Sequence, residues 1–466
     1  MDLNPRLFFL VSQVILNIQS TNLLLDRGNA MHLIPIIALV LLIGVLTGAN
    51  LFALGACTLI IVFQLTHFFA NRWSESISVE RTVTRTELEV GDSFAVGLRL
   101  MNTTGYFIPW LFAEDVLPKR AISQPHRALD VTGQPAKLCF FRPKQTLLMT
   151  YQIRAVRRGY FQVGPTILET GDLLGLYRNF RIVSEPRYVL VLPRLIPLQG
   201  INVTSRRPMG ELHVNDRSME DMTQMVGIRE YRAGDSLNRI HWRATARTGT
   251  LHTRIFQPTC IQGAMLVLDM HRQSNPDRNE PMRTDLAVTT AASLAHTLYM
   301  MNQPFGLISN GRDAADRVRQ MHLEREFSDR DSVRADVEMN TKSSRLKPVV
   351  VDGNRGPEHF AEMHRTLARL ERTDGMQLSD LLMETQNRLS RQMSVLLLVQ
   401  QVDDSMALSI ALLRRRGFAV SVIVNQHDLD GLQDSAAKLI AYHIPVFVLP
   451  DEESIPIVCR DALVNR

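Results

Sequence analysis

Hydrophobic and polar positions change rhythm twice along this chain, dividing it into three zones. From Met31 to Asn71 there is no Asp, Glu, Lys or Arg. That run is about twice the roughly 20 residues one membrane-crossing helix needs. Thr47-Gly48-Ala49-Asn50 reads as a tight turn in its middle, so the pattern predicts a transmembrane helical hairpin, with helices over about 33–48 and 51–70. Pro35 is compatible with the first turn of the first helix. From Ser76 to about Pro193 the period becomes two, as in Ser76–Val83, Phe94–Leu100, Leu147–Arg154, Tyr160–Val163 and Tyr188–Leu192. Turn signals at Gly91-Asp92, Asn102–Gly105, Arg158-Gly159 and Gly164-Pro165 separate these runs, and short strands so punctuated predict a β-sandwich. After Gly263 strands and helices alternate. Strands are predicted at Ala264–Asp269, Phe305–Ser309, Ser394–Gln400, Ala419–Val424 and Pro445–Leu449. Helices are predicted at Thr284–Met301, Glu358–Arg372, Leu378–Leu389, Ser405–Arg416 and Gln433–Ala441. Such alternation predicts a doubly wound α/β domain with a parallel sheet. Arg312–Lys347 interrupts it with many charges and few apolar residues, and reads as an exposed insertion.

The fold class expected is therefore multi-domain. Residues 1–30 form an N-terminal extension, 31–71 the hairpin, 76–200 the β-sandwich, 201–262 a linker with a dense motif, and 263–466 the α/β domain. Leu7–Ile18 in the extension is apolar but short, and reads as a poor third span, an interfacial helix or a secretory signal; translation is expected to start at Met31. Arg27 precedes the hairpin and Arg72, Arg81 and Arg85 follow it, so the bias of positive flanks places the bulk of the chain in the cytoplasm, at the inner membrane, as a multi-pass protein. A net charge of +5 over 466 residues does not mark a nucleic-acid binder. Cys57, Cys139, Cys260 and Cys459 lack metal-ligand spacing and read as free thiols.

The densest stretch runs from Gly227 to Leu251. Gly234-Asp235 marks a turn, and Asp235 or Ser236 is placed to cap a following helix. Leu237, Ile240 and Ala244 recur at helical spacing and would face inward. Arg239, Arg243 and Arg247 recur at i, i+4, i+8 on the same helix, with Trp242 among them and Gly249 as its stop. This arginine row has three readings: phosphate or nucleic-acid binding, ion pairs within the chain to Glu230 and Asp235, or an acidic face on a partner protein. His241, His252 and Glu230 supply acid or base groups. No nucleophile accompanies them and no P-loop occurs, so ATP hydrolysis is not expected.

Arg229-Glu230-Tyr231, Gly234-Asp235, Arg239-Ile240, Trp242 and Ala246-Arg247 resemble the signature of the bacterial family called domain of unknown function 58. Arg158-Gly159-Tyr160, Gly164-Pro165 and Gly171–Leu176 resemble a second block of it. The resemblance runs from about Met31 to the C-terminus. It implies an immunoglobulin-like sandwich and association with MoxR-type AAA+ ATPases in maturing envelope or other protein complexes. The element order and the place of Asp269 also resemble a von Willebrand factor A domain, whose sheet edge holds a metal through Asp-x-Ser-x-Ser. Here the segment is Asp269-Met270-His271-Arg272-Gln273. Both serines are replaced and a cation is added, which disfavours the Mg²⁺ that hard oxygen ligands would take.

The leading expectation is a non-enzymatic, membrane-anchored assembly factor without a cofactor. Its signature residues Arg229, Glu230, Tyr231, Gly234, Asp235, Arg239, Trp242, Arg243 and Arg247 would bind partners. Those partners are a MoxR-type ATPase, other membrane or envelope proteins and the lipid bilayer, but not nucleic acid. The alternative is a metal-dependent adhesion protein using a divergent site at Asp269.

Overall fold

The computed structural model describes residues 72–464, with interruptions at 74, 123–124, 172–177, 199–219, 233–234, 259–262, 319–325, 328–331, 335–338, 340–345 and 391–392; before residue 72 it describes Gly55, Thr58 and Val62. The hairpin expected over 31–71 and the extension 1–30 thus lie almost wholly outside the described residues. Among the described residues no helix is long and apolar enough to cross a membrane. The longest, Met282–Met300, carries Arg283, Asp285 and His296 and packs on a sheet. The described residues thus give no support to the expected transmembrane hairpin or to the multi-pass inner-membrane placement that rested on it, and both are withdrawn. Arg81, counted there as a flanking charge, is buried in an ion pair with Asp115.

The first unit contributes strands β1 (Ile77–Val83), β2 (Glu87–Glu89), β3 (Ser93–Asn102), β4 (Ile108–Asp115), β5 (Leu129–Gly133), β6 (Ala136–Phe141), β7 (Thr146–Ala155), β8 (Gly159–Val163), β9 (Thr166–Gly171), β10 (Arg178–Ile182) and β11 (Arg187–Leu192). An arm follows: β12 (Glu220–Glu230), α1 (Trp242–Thr248) and β13 (His252–Pro258). The second unit runs β14 (Ala264–Leu268), α2 (Met282–Met300), β15 (Phe305–Ser309), β16 (Arg312–Asp313), β17 (Glu326–Phe327), β18 (Val349–Asn354), α3 (Pro357–Arg369) and β19 (Leu370–Glu371). It continues through α4 (Leu378–Thr385), β20 (Ser394–Val399), α5 (Asp404–Arg415), β21 (Val420–Val424), α6 (Leu429–Ile440), β22 (Val446–Val448) and α7 (Ile455–Val464).

The architecture is mixed α/β with several sheets, and the first unit is not a simple two-sheet sandwich. A four-stranded sheet, β1-β3-β7-β5, turns one face to two others. On β3 the alternation is strict: Phe94, Val96, Leu98 and Leu100 are buried while Arg99 between the last two is exposed. Leu98 and Leu100 share a core with Ile108, Leu111 and Phe141 of the sheet β17-β10-β9-β4-β6. Phe94 and Val96 share another with Val163, Val189 and Val191 of the sheet β2-β11-β8. One period-two face thus feeds two cores, which a strand pattern alone cannot reveal.

In the second unit the sheet order is β18-β15-β14-β20-β21-β22. The five strands from β15 to β22 pair in parallel, and β18 joins antiparallel at the edge. β14, β15, β20 and β21 are buried at every position, as strands covered on both faces must be. Leu266 and Leu268 pack towards α2, α3 and α7. Met265 and Val267 pack towards α4, α5 and the end of α6.

The segment read as an exposed insertion is anchored instead. β16 pairs with β19. β17 leaves the second unit to pair with β10 of the first, Phe327 opposite Phe180. Val333 is fully buried beside Ile167, Phe180 and Ile182, and Arg334 pairs with Glu114. A few apolar residues among many charges suffice when they meet an existing strand edge.

A second set of contacts joins the units. Arg158, just before β8, is buried and donates through Nη1 to the carbonyls of Leu367 (3.0 Å) and Leu370 (2.9 Å), at the end of α3. These are orphan acceptors of a helix C-terminus, where positive charge is favoured. Asp285 of α2 pairs with Arg157 Nε (2.6 Å) and Arg158 Nε (3.1 Å). His364 Nε2 bonds Pro193 O at 2.9 Å, and Arg365 makes a two-pronged contact with Glu87, both at 3.0 Å.

Candidate functional site

The arm carries the signature residues. β12 and β13 pair antiparallel, with register shifts between Asp221 and Gly227. The chain between them folds back on the hairpin through Tyr231 N to Leu251 O and His241 N to His252 O, both 2.8 Å. Asp235 does not cap a helix. Its Oδ1 accepts from Arg229 Nη2 at 2.7 Å, and its Oδ2 accepts from Arg232 N at 2.9 Å and Thr253 Oγ1 at 3.4 Å. The Arg229 hydrogen bond holds the Asp235 carboxyl below the usual carboxylate range. Gly234 lies outside the described residues; Glu230 is exposed and Tyr231 half-buried.

The expected continuous helix is broken. Leu237–Arg239 forms a single 3₁₀ turn, Ile240 bridges to Thr253, and α1 begins only at Trp242. His241, not Asp235 or Ser236, is the cap, its Nδ1 accepting from Ala244 N at 3.0 Å. Gly249 ends the helix at φ 76°, in the left-handed region expected of a helix stop. Arg243 and Arg247 share a helix face, but Arg239 precedes the helix, so the three do not form one row. Ile240 is buried as expected, whereas Leu237 is 70% exposed and Trp242 65% exposed. Arg243 and Arg247 are exposed too, as are Arg232 and Arg254. The arm therefore holds its shape through its backbone and Asp235, and turns a tryptophan and a leucine outward among guanidinium groups.

The proposed metal position at Asp269 is different. Asp269 is buried, and both its oxygens are already used: Oδ1 accepts from His271 N (3.1 Å) and Asn310 Nδ2 (2.8 Å), and Oδ2 from Ser274 Oγ. Burial pushes its carboxyl up from the usual range. The cavity of about 460 Å³ beyond it is lined by His271, Gln273, Asp403 and Asp434, but Lys438 reaches in, donating to Asp434 Oδ2 at 2.6 Å and Val402 O at 3.3 Å. Asp403 is spent capping α5 through Met406 N at 2.7 Å. Among the described residues no three His, Cys, Asp or Glu side chains converge to hold a metal. The alternative reading, a metal-dependent adhesion site at Asp269, is overturned: the carboxylate that would ligate serves as an internal acceptor and the Lys438 ammonium stands in the cavity. Cys139 and Cys459 are buried free thiols.

Sequence reasoning missed the charged contact between the units. The sequence pattern singles out none of Arg157, Asp285, Arg312, Arg317 and Glu371, and Arg158 only as part of a turn signal and of the second block of resemblance. The available signal was the adjacent pair Arg157-Arg158 before Gly159, two cations with no Asp or Glu between Asp130 and Glu169 to pair with nearby in sequence.

A family model described as protein of unknown function DUF58 matches residues 227–325. The match takes in the arm from Gly227 and the second unit through β14, α2 and β15. It leaves out the block from Arg158 to Leu176 and everything before it, so the resemblance holds over a much shorter stretch than expected. Neither its description nor the relative below attaches a membrane anchor, a von Willebrand A domain or a MoxR-type ATPase, and those implications are withdrawn. The chain is 24% identical over 251 residues to the uncharacterized protein YeaD of Bacillus subtilis (strain 168), a match covering 51% of this chain and 57% of that protein. The chain thus spans little more than half of that relative's length. Among solved structures, the CARDB domain of the PF1109 protein from Pyrococcus furiosus is similar at 11% identity, over 25% of this chain and 91% of that one, with a TM-score of 0.16. Proximal thread matrix protein 1 from the mussel byssus is similar at 12% identity, over 44% and 46%, with a TM-score of 0.26. Likenesses this distant carry no argument about this chain.

Proposed function

We propose that this chain is a protein-binding scaffold that presents the arm 220–258 to a partner protein, with Trp242 at the centre of contact. The observation that carries the reading is the 65% exposure of Trp242 beside Leu237 on an arm held in shape by its own hydrogen bonds. Large apolar side chains projected together from a built element mark interaction surfaces, and tryptophan and arginine dominate binding energetics there. The arm also carries the exposed Arg232, Arg243, Arg247 and Arg254; of its described carboxylates Asp235 is committed to Arg229 and Glu230 is exposed, so cations outnumber free carboxylates on it. Charge complementarity therefore commits the partner to an apolar pocket rimmed by carboxylates. The role is binding rather than catalysis: His241 is used as a helix cap, and His252 Nδ1 lies 2.8 Å from Thr250 O.

The test is site-specific photo-crosslinking in cells from a reactive residue placed at Ser236, with Leu148 on the exposed face of β7 as the control position. The expected result is one discrete heterologous adduct from Ser236, absent from Leu148. It should be lost in Trp242→Ala and in Arg243→Glu while the melting temperature of both variants stays at the wild-type value. Removing such an anchor costs about 2 kcal/mol of binding or more. No adduct, an adduct only between copies of this chain, or one indifferent to both variants overturns the reading.

A further inference from the structure

The contact between the two units borders a cavity of about 390 Å³ whose lining is predominantly cationic. Arg157 and Arg158 enter it from the first unit. Arg272, Arg312, Arg317 and Arg372 enter from the second. Among the described lining residues, eight cationic side chains face three carboxylates, Glu280, Asp285 and Glu371. Each of two carboxylates is divided between two guanidinium groups. Asp285 serves Arg157 and Arg158, and Glu371 serves Arg312 (2.8 Å) and Arg317 (2.9 Å). Arg372 pairs with Asp277 at 2.8 Å, outside the lining, and more loosely with Glu280 Oε2 at 3.9 Å, and it donates to Asn275 O at 2.7 Å. Among the described lining residues cations thus outnumber carboxylates, with Arg158 buried and Lys119, Arg120 and Arg272 exposed at the rim, and an anion in the cleft would lower the cost of holding them so close together.

The shape of the charge narrows the ligand. Guanidinium forks match phosphate oxygens two at a time, which an ammonium does not. The volume is that of a small organic molecule rather than of a bare ion. Leu117, Phe161 and Leu370 supply an apolar wall. Glu280 Oε1 is buried in the same lining with no hydrogen-bond partner among the described residues, an acceptor suited to a ligand hydroxyl. We infer that this cleft binds a phosphorylated, hydroxyl-bearing small molecule with at least two negative charges, of which nucleoside diphosphates are the nearest simple class. Because the arginines come from both units, the ligand strengthens their contact. The arm takes no part, so this site and the proposed docking surface stand or fall separately.

The full-length chain is titrated calorimetrically with inorganic pyrophosphate, ADP and adenosine at low salt, and its melting is followed with each. Pyrophosphate and ADP are expected to bind and to raise the melting temperature by several degrees, with affinity falling as salt rises; adenosine is expected to do neither. Arg317→Gln should weaken ADP at least tenfold. Arg272→Glu, at an exposed rim position, should do the same without changing the melting of the free protein, and so keeps the test decisive if the first variant folds poorly. No heat and no melting shift with either phosphate compound, equal binding of adenosine, or wild-type affinity in Arg272→Glu overturns the inference.

Discussion

At the scale of single residues, the buried charge in the first unit is the sharpest constraint. Arg81 and Asp115 pair with side chains 3% and 0% exposed. Tyr151 donates to Asp115 Oδ2 at 2.5 Å, and Arg81 also donates to Thr166 Oγ1 at 2.9 Å and to the carbonyls of Val163 and Glu185. Gly164 explains itself here: at φ +84° a Cβ would stand 2.0 Å from an Arg81 nitrogen. Asp115→Ala should cost about 3–5 kcal/mol in urea denaturation, because it leaves a guanidinium buried without its partner. Replacing the pair together, with Arg81→Met and Asp115→Leu, should recover much of that loss; an Asp115→Ala variant of wild-type stability would show that the network contributes nothing. Of all this the sequence makes Gly164-Pro165 legible as a turn, but not why glycine stands there, since the reason is 83 residues upstream. In the same way Gly249 could be read as a helix stop from its neighbours alone, whereas Leu237 was misread as inward because helical spacing assumes that the helix has already begun.

At the scale of elements, α3 decides how the two units meet. One face lies on the second unit's sheet, and its Arg365, His364 and final carbonyls turn to the first. Burial holds the His364 imidazole below its ordinary value of 6.5, against the opposing pull of Pro193 O, Glu89 and Glu87, with His296 adding to the depression and Phe360 stacked at 5.4 Å. The sign follows. The folded chain keeps His364 neutral while the unfolded chain takes up a proton below about pH 6.5, so its contribution to stability is present above that value and lost as pH falls towards the depressed folded pKa. Melting temperature should therefore drop between pH 6.5 and 5, and His364→Gln, which retains an N–H for Pro193 O, should flatten that slope. An identical slope in the variant would remove His364 from the account. The helices and inner strands of this unit were readable because a fully apolar run of five or six residues between helical stretches has few alternatives. β18 was not, since only its first three residues are at all shielded and Asp352–Asn354 are exposed. The break inside the signature was equally hidden, because it depends on Ile240 meeting Thr253 across the hairpin.

At the scale of the whole molecule, Arg158 ties the two units together through three contacts from one buried side chain. It satisfies two carbonyls of α3 and pairs with Asp285 while fully enclosed, and burial pulls its guanidinium below the usual range. Arg158→Ala should cost about 3–5 kcal/mol and, by calorimetry, resolve one unfolding transition into two; a single transition at the wild-type temperature would mean that the units are joined elsewhere. The alternation of strands and helices made the second unit's layers legible, but the partnership between units was not, because a charge pair formed across more than a hundred residues leaves no periodic trace. Nor was the traffic of the chain itself. The segment carrying Phe327 and Val333 departs from the second unit, completes a sheet of the first and returns. The first unit is thus finished by a piece of the second, and Phe327, Val333 and Arg334 hold the two together by contact as well as by the covalent chain. Two polypeptides divided ahead of β12 would still have reason to find one another, since the first would be left with the open edge of β10 that β17 covers.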